Sequence, residues 1–225
     1  MDFFKVFVEV FPSLLKGLGV TVQVTVISLT IACLLGMTAC LMGMSKSWVL
    51  SGISKIYVWI IRGTPFIVQL FIVYFGIPQF IQQLGINFRL TSFQASAITL
   101  SLNAGAYLSE IFRGGIQAVP VGQMEAARSL GLSHGRAMIK VILPQALRIC
   151  IPSLGNQFII TLKDSSLAAT IALTEIVYMG KLYVGRTMQS FATYMIIGLM
   201  YLVIITILTK ILNVIERRFA HGTEG

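Results

Sequence analysis

The sequence predicts an all-α membrane protein of five transmembrane helices, amino terminus out and carboxyl terminus in, forming a single membrane domain over residues 1–225. Its composition places it in the membrane class: 56% of the 225 residues are hydrophobic and only 11% are charged. The spacing of the charges supports this. It leaves uncharged runs of 29 residues between Lys16 and Lys46, 26 between Arg62 and Arg89, and 23 between Arg186 and Lys210. A helix needs about 20 apolar residues to cross the hydrocarbon core, so each run suffices.

Residues 1–16 read as an interfacial amphipathic segment, because Asp2 to Phe11 alternates charge with Phe and Val, and Pro12 is expected to stop it. A plain tail fits the same pattern. The runs 17–45 and 63–88 supply the first two spans, with Arg62 at the inner start of the second and Pro65 in its first helical turn. The next, between Arg89 and Glu110, is 20 residues long and opens on the polar Thr91-Ser92-Phe93-Gln94-Ala95-Ser96. The stretch after Arg148 holds only 14 uncharged residues before Lys163-Asp164, too few to cross at about 1.5 Å per residue. It reads as a broken helix, and the run 187–209 completes the set.

Orientation follows from the basic residues. With the amino terminus outside, eleven Lys and Arg fall inside and six fall outside or within the membrane region, the bias that positive-inside topology requires. That bias accounts for most of the net charge of +9. The cations are scattered at span ends, without the clustering of a nucleic-acid interface. Cys33 and Cys40 lie about 10 Å apart along a helix, too far to bridge, and Cys150 sits in another apolar segment. All three read as small core residues.

The motifs of catalysis are missing. No Gly-x-x-x-x-Gly-Lys-Ser/Thr loop occurs, and Gly180-Lys181 lacks both the upstream glycine and the following hydroxyl. There is no His-Glu-x-x-His, Gly-x-Ser-x-Gly or Cys/His cluster, and the two histidines, His134 and His221, lie in polar segments. No metal site or nucleophilic centre is expected.

What remains is a polar loop over 117–148 carrying Glu125, Arg128, His134, Arg136 and Lys140. Charges are costly in hydrocarbon, so it must be wet. Gln117 to Leu130 suits a helix with Met124, Ala127 and Leu130 on one side, Gly131 suits a left-handed stop, and Ser133 suits the cap of a second helix through Met138, Ile139, Ile142 and Leu143. The pattern alone also fits an ordinary helix-turn-helix linker.

Glu125-Ala126-Ala127, then Gly131, then Val141, Leu143 and Pro144 resembles the signature of inner-membrane permeases of ATP-binding cassette (ABC) importers, with Val141 where isoleucine is usual. Arg62-Gly63-Thr64-Pro65 with Gln69, Ala106-Tyr107 with Glu110 and Arg113-Gly114-Gly115-Ile116, Gly122-Gln123, Pro144-Gln145-Ala146 and Lys163-Asp164-Ser165-Ser166-Leu167 widen the likeness to the polar amino acid branch, the histidine-, glutamine-, arginine- and cystine-type permeases. Ser101-Leu102-Asn103 and Gly76-Ile77-Pro78-Gln79-Phe80 look most like cystine-type members, with glutamine-type next.

The resemblance implies the type I permease fold in the bacterial cytoplasmic (inner) membrane. It implies a second permease subunit, identical or a close paralogue, two cytoplasmic ATPase subunits, an extracytoplasmic amino acid binding protein and surrounding membrane lipid as partners. No cofactor is expected in this chain; ATP-Mg would be bound by the ATPase subunits. By the same resemblance, Gln123, Glu125, Ala126, Ala127, Leu130 and Gly131 would couple to the ATPase.

Substrate residues are expected on polar faces within the spans. Gln157, Thr161 and Asp164 share one helical face, beside Lys163 at the break, where backbone groups become available to solutes. Asn103 and Tyr107 share another, and Gln69 belongs to the second span. Asp164 would meet an ammonium, while Gln157, a neutral amide, disfavours cationic side chains. Two plainer roles stay open: a Lys163–Asp164 ion pair at the membrane surface, and Asn103 as an interhelical bond. An ion-coupled secondary carrier is the competing function, supported by the broken helix but opposed by the absence of paired repeats.

Overall fold

The computed structural model describes residues 3–220, and every regular element within them is helical. Asp2 and His221, used in the sequence reading, lie outside the described residues.

The spine is α1 (Phe3–Gly43), whose buried stripe runs Gly17, Thr21, Val24, Thr25, Ser28, Ala32, Gly36, Ala39 and Cys40. Small residues at this spacing let helices approach closely in lipid, where packing rather than hydrophobic drive holds them together. The stripe meets α5 (Ser92–Ala118), the most extensive helix pairing in the chain. A Cβ on Gly36 would stand 2.7 Å from Leu108 Cβ and 3.0 Å from the Gly105 carbonyl, so a hydrogen there sets the crossing distance. The stripe's hydroxyls donate to their own helix, Thr21 to the Gly17 carbonyl at 3.1 Å and Thr25 to that of Thr21 at 2.7 Å. Ser28 donates across to Ala97 at 3.3 Å, so these three buried hydroxyls of the stripe each have an acceptor.

Three core clusters follow one another along α1. Val6, Val10 and Leu14 pack against Ile176, Ala192 and Ile196. Val24 packs with Leu70, Ala95, Leu100, Ile171 and Leu173. Ala32 and Cys40 pack with Leu108, Phe112, Ile142, Ala146 and Cys150.

Pro12 does not stop the first helix, contrary to the sequence expectation; it lies inside α1, which has 41 residues. The expected boundary at residue 16 is therefore not a structural one. The reason is tertiary: Val6, Val10 and Leu14 form one continuous packed face on both sides of the proline. At about 1.5 Å per residue α1 is about 60 Å long, twice the hydrocarbon core.

The segment expected as a loop between the first two spans contains α2 (Trp48–Gly63). After a break at Thr64-Pro65, α3 (Phe66–Phe71) runs through a π turn at Ile72–Gly76 into α4 (Ile77–Gln83). Pro65 occupies the N-cap of α3 rather than its first turn. The polar start of α5 is a cap: Thr91 Oγ1 accepts from the Gln94 amide at 3.1 Å, and the Thr91 amide donates to Gln94 Oε1 at 3.0 Å. Most of α5 is buried, including Ser96, Thr99, Ser101 and Asn103.

The expected short, broken span is long. After α6 (Val121–Ser129), α7 (His134–Ala137), a π turn at Met138–Ile142, α8 (Leu143–Asp164) and a 3-10 segment at Ser165–Ile171 form one run of 38 residues. Pro144 is absorbed by widening the preceding turn, so that the Leu143 amide donates to the Met138 carbonyl five residues back. The same device precedes Pro78, with the Ile77 amide on the Ile72 carbonyl. A π turn displaces the carbonyl that a proline ring would strike.

The break after Asp164 is present as the change from α to 3-10 helix, ending on Ala172 in the left-handed region (φ +60°). Then come α9 (Ile176–Thr187) and α10 (Ser190–Ala220). By length and composition four runs among the described residues suit a membrane: Phe3–Gly43, Phe66–Gln83, His134–Ile171 and Ser190–Arg218. α5 has 27 residues but carries small and polar side chains along its buried length.

Candidate functional site

The loop is narrower than 117–148. Gln117 and Ala118 end α5, Pro120 precedes α6, and the second expected helix is the amino-terminal end of the long run beginning at His134. α6 closes in a Schellman motif: the Gly131 amide donates to the Arg128 carbonyl at 3.0 Å, and that of Leu132 to the Ala127 carbonyl at 3.2 Å. Gly131 takes φ +84°, the left-handed conformation that this motif requires. Two residues on, Ser133 Oγ accepts from the Arg136 amide at 3.5 Å and caps the next helix.

Ala127 faces inward and is buried, whereas Glu125, Ala126, Arg128 and Leu130 are exposed. The expectation that Ala126 and Ala127 together line a docking face is thus split: Ala127 lies against this chain. Gln123 is tied to the start of α8, its Oε1 accepting from Gln145 Nε2 at 3.4 Å. Around the polar residues stand three exposed apolar side chains, Leu130 (85%), Val121 (72%) and Ile139 (67%). Burying one such side chain is worth roughly 1.5–3 kcal/mol, so together they form a strong incentive for contact.

Gln69 and Asn103 are brought together, but with each other. Asn103 Nδ2 donates to Gln69 Oε1 at 3.0 Å, while Gln69 Nε2 reaches the Ile61 carbonyl at 2.7 Å, the Thr64 carbonyl at 3.1 Å and Thr64 Oγ1 at 2.9 Å. Both amides are buried. They bracket the break between α2 and α3 and tie it to α5, the interhelical role left open for Asn103.

Gln157 and Thr161 are buried on α8 and form a local pair, Thr161 Oγ1 donating to the Gln157 carbonyl at 2.8 Å with Gln157 Nε2 at 3.4 Å from Oγ1. Asp164 is half-buried at the end of the same helix and Lys163 is exposed. The ion pairs among the described residues both fall on Glu110, so Lys163 and Asp164 make no direct ion pair with one another. Glu175 is fully buried inside the chain, capping α9 by accepting from the Tyr178 amide at 2.7 Å.

One cluster was passed over in the sequence. Arg113 Nε donates to Glu110 Oε1 at 3.2 Å, its other arm engages Oε2, and Arg62 Nη1 lies 3.7 Å from Oε2. The Arg62 guanidinium also stacks 5.3 Å over the Tyr107 ring. The signal lay in the combination of Glu110 and Arg113, at i and i+3, with Arg62 across a break in the chain that hides its proximity.

A bundle of membrane-length helices, a rigid elbow and exposed apolar side chains beside it define a multi-pass membrane protein with a loop shaped for contact. The family described as binding-protein-dependent transport system inner membrane component matches residues 17–221, and the chain belongs to it. It is 38% identical over 217 residues to YckA of Bacillus subtilis, a probable amino-acid ABC transporter permease protein, covering 96% of this chain and 93% of the relative. It is also 38% identical to the L-cystine transport system permease protein TcyB of the same organism, covering 92% and 86%. Among solved structures, an amino acid ABC transporter with histidines superposes with a TM-score of 0.89 at 38% identity, over 97% of this chain and 99% of the other. The chain is a multi-pass inner-membrane permease.

Proposed function

We propose that this chain is the membrane subunit of an ATP-driven importer of a polar amino acid, cystine or a related sulfur amino acid first and glutamine next. The observation that carries the transport role is the elbow at Gly131 between α6 and the 38-residue run from His134 to Ile171. A continuous helical run from the polar loop to the break at Ser165 would carry a displacement of one end to the other. In this reading the amino terminus is outside, α5 crosses as the third of five spans, and the loop faces the cytoplasm.

Leu130 and Ala126 would enter a groove of an ATPase subunit, Glu125 would face its polar rim, and Gly131 would fix the angle. Ala127 and Gln123 would hold α6 to its own chain. Two permease subunits, two ATPases that bind ATP-Mg, and an extracytoplasmic binding protein complete the assembly. Gln157, Thr161 and Asp164 are the proposed cargo contacts, with Lys163 at their edge; Gln69 and Asn103 brace the break between α2 and α3. Cystine is favoured by the neutral Gln157 and by TcyB, but the likeness to the transporter with histidines is equal in identity.

The test is reconstitution with the cognate ATPase and binding protein in liposomes and a panel of amino acids. Uptake is expected only with all components and ATP, greatest for cystine. Accumulation by the isolated chain under a proton or sodium gradient would establish the secondary carrier instead. Uptake confined to histidine or arginine would overturn the cargo assignment and leave the importer standing.

A further inference from the structure

At the end of α5 that leads into the loop, a cavity of about 640 Å³ opens between α1, α2 and α5. Lys55, Arg62 and Arg113 line it with a single carboxylate, Glu110, an excess of two positive charges. Both Glu110 oxygens are already engaged by the guanidinium groups. The Arg62 and Arg113 side chains stay partly open to the surroundings, at 44% and 41%.

The charge decides which ligand fits. A zwitterionic amino acid would bring its ammonium among three cations whose one carboxylate, Glu110, is already engaged. A monoanion needs only the surplus cations. The position of the site points the same way: its wall includes Gly43 and Met44 at the end of α1 and Gln117 beside the end of α5, so it lies at the end of the bundle that leads into the polar loop. Trp59 borders the cavity and is strongly exposed, as an aromatic side chain is where a helix meets the lipid headgroups. Ile53, Ile56 and Ile60 on the same helix are also exposed, an apolar track along which acyl chains can lie.

We infer that this cavity binds the phosphate headgroup of an anionic phospholipid of the cytoplasmic leaflet, with Lys55 and the Arg62–Arg113 pair as its cationic partners. Basic pockets between membrane helices on that side recognise anionic headgroups. The leaflet rests on the cytoplasmic placement of the loop proposed above; the phosphate chemistry does not.

The full complex, carried in nanodiscs of phosphatidylcholine with phosphatidylglycerol, is examined by native mass spectrometry for retained lipid. Preferential retention of phosphatidylglycerol is expected, falling about fivefold for each cation removed in Lys55→Gln and Arg62→Gln. Lys55 makes no hydrogen bond or ion pair among the described residues, so its variant keeps the fold if Arg62→Gln does not. Equal retention of the two lipids, or an unchanged preference in Lys55→Gln, overturns the proposal. Displacement by millimolar inorganic phosphate would assign the site to a soluble anion, and displacement by the transported amino acid would assign it to cargo; either overturns the lipid. Retention is read without ATP or transport, so its failure leaves the importer reading intact, and impermeant labelling of Ser129→Cys tests the leaflet separately.

Discussion

Replacing Gly131 with alanine tests the loop at its hinge. A Cβ at Gly131 would meet nothing within 4 Å, so no clash arises, and the whole effect comes from its φ of +84°. An L-residue with a Cβ pays about 1–2 kcal/mol in the left-handed region. Two outcomes compete: the elbow keeps its shape and carries the strain, or it opens and gives up the Gly131 and Leu132 hydrogen bonds to Arg128 and Ala127, each worth about 0.5–1.5 kcal/mol. Their costs are similar, so both states become populated, and the shift amounts to a factor of about 5–30. The assay is uptake per ATP hydrolysed in the reconstituted complex, alongside the melting temperature in detergent. Gly131→Ala is expected to lower the uptake-to-hydrolysis ratio several-fold with little change in melting, since the elbow is exposed and the core clusters are untouched. Gly131→Asn is expected to recover most of it, because asparagine tolerates this conformation. Wild-type coupling in Gly131→Ala, or equal losses in the alanine and asparagine variants, would refute the argument from backbone strain.

Leu130→Asp is expected to abolish ATPase binding in a pull-down while leaving the membrane part folded, because the side chain is 85% exposed; retained binding would remove it from the docking face. Gly115→Val is expected to destabilise the bundle by at least about 1–3 kcal/mol, because a Cβ there would lie 2.2 Å from Cys150 Sγ and 2.9 Å from the Ala146 carbonyl. Gly19→Val, with nothing within 4 Å, is the matched control in the same thermal assay. Gln69→Ala is expected to lower the melting temperature more than Asn103→Ala, since it takes the side-chain donor from the Ile61 and Thr64 carbonyls at the helix break as well as removing the bond to Asn103; a higher KM at unchanged melting temperature would mark Gln69 as a cargo contact instead. Asp164→Asn is expected to raise the KM for uptake, and wild-type uptake would remove the proposed ammonium ligand.

The elbow was legible because its chemistry is local. A left-handed position favours glycine, an N-cap favours serine, and both preferences act within a few residues, so Gly131 and Ser133 marked the turn without tertiary knowledge. Helix limits were less legible where charges and prolines served as boundaries. Arg136, Lys140 and Arg148 lie on the same helical run as Gln157, because a helix can leave the membrane and continue into water. Pro12 failed as a stop for a related reason: a packed face carries the helix past it, as widened turns carry the backbone past Pro78 and Pro144.

The polar residues show the same limit at the site. From spacing, Asn103 and Gln157 were equivalent candidates, since each is an amide on a face of a membrane helix. The fold separates them by what else is near: Asn103 meets Gln69, which is held by the carbonyls freed at Thr64-Pro65, whereas Gln157 has only Thr161 one turn away. A helix break releases backbone acceptors, and an amide nearby is first claimed by them. The second break, at Ser165, releases acceptors too, but there Ser165 and Ser166 hydroxyls turn back to the Leu162 and Lys163 carbonyls at 2.7 and 2.6 Å. Local hydroxyls satisfying the second break leave Gln157 and Asp164 free of that duty, and this is the physical ground for placing the cargo beside α8 rather than beside Gln69.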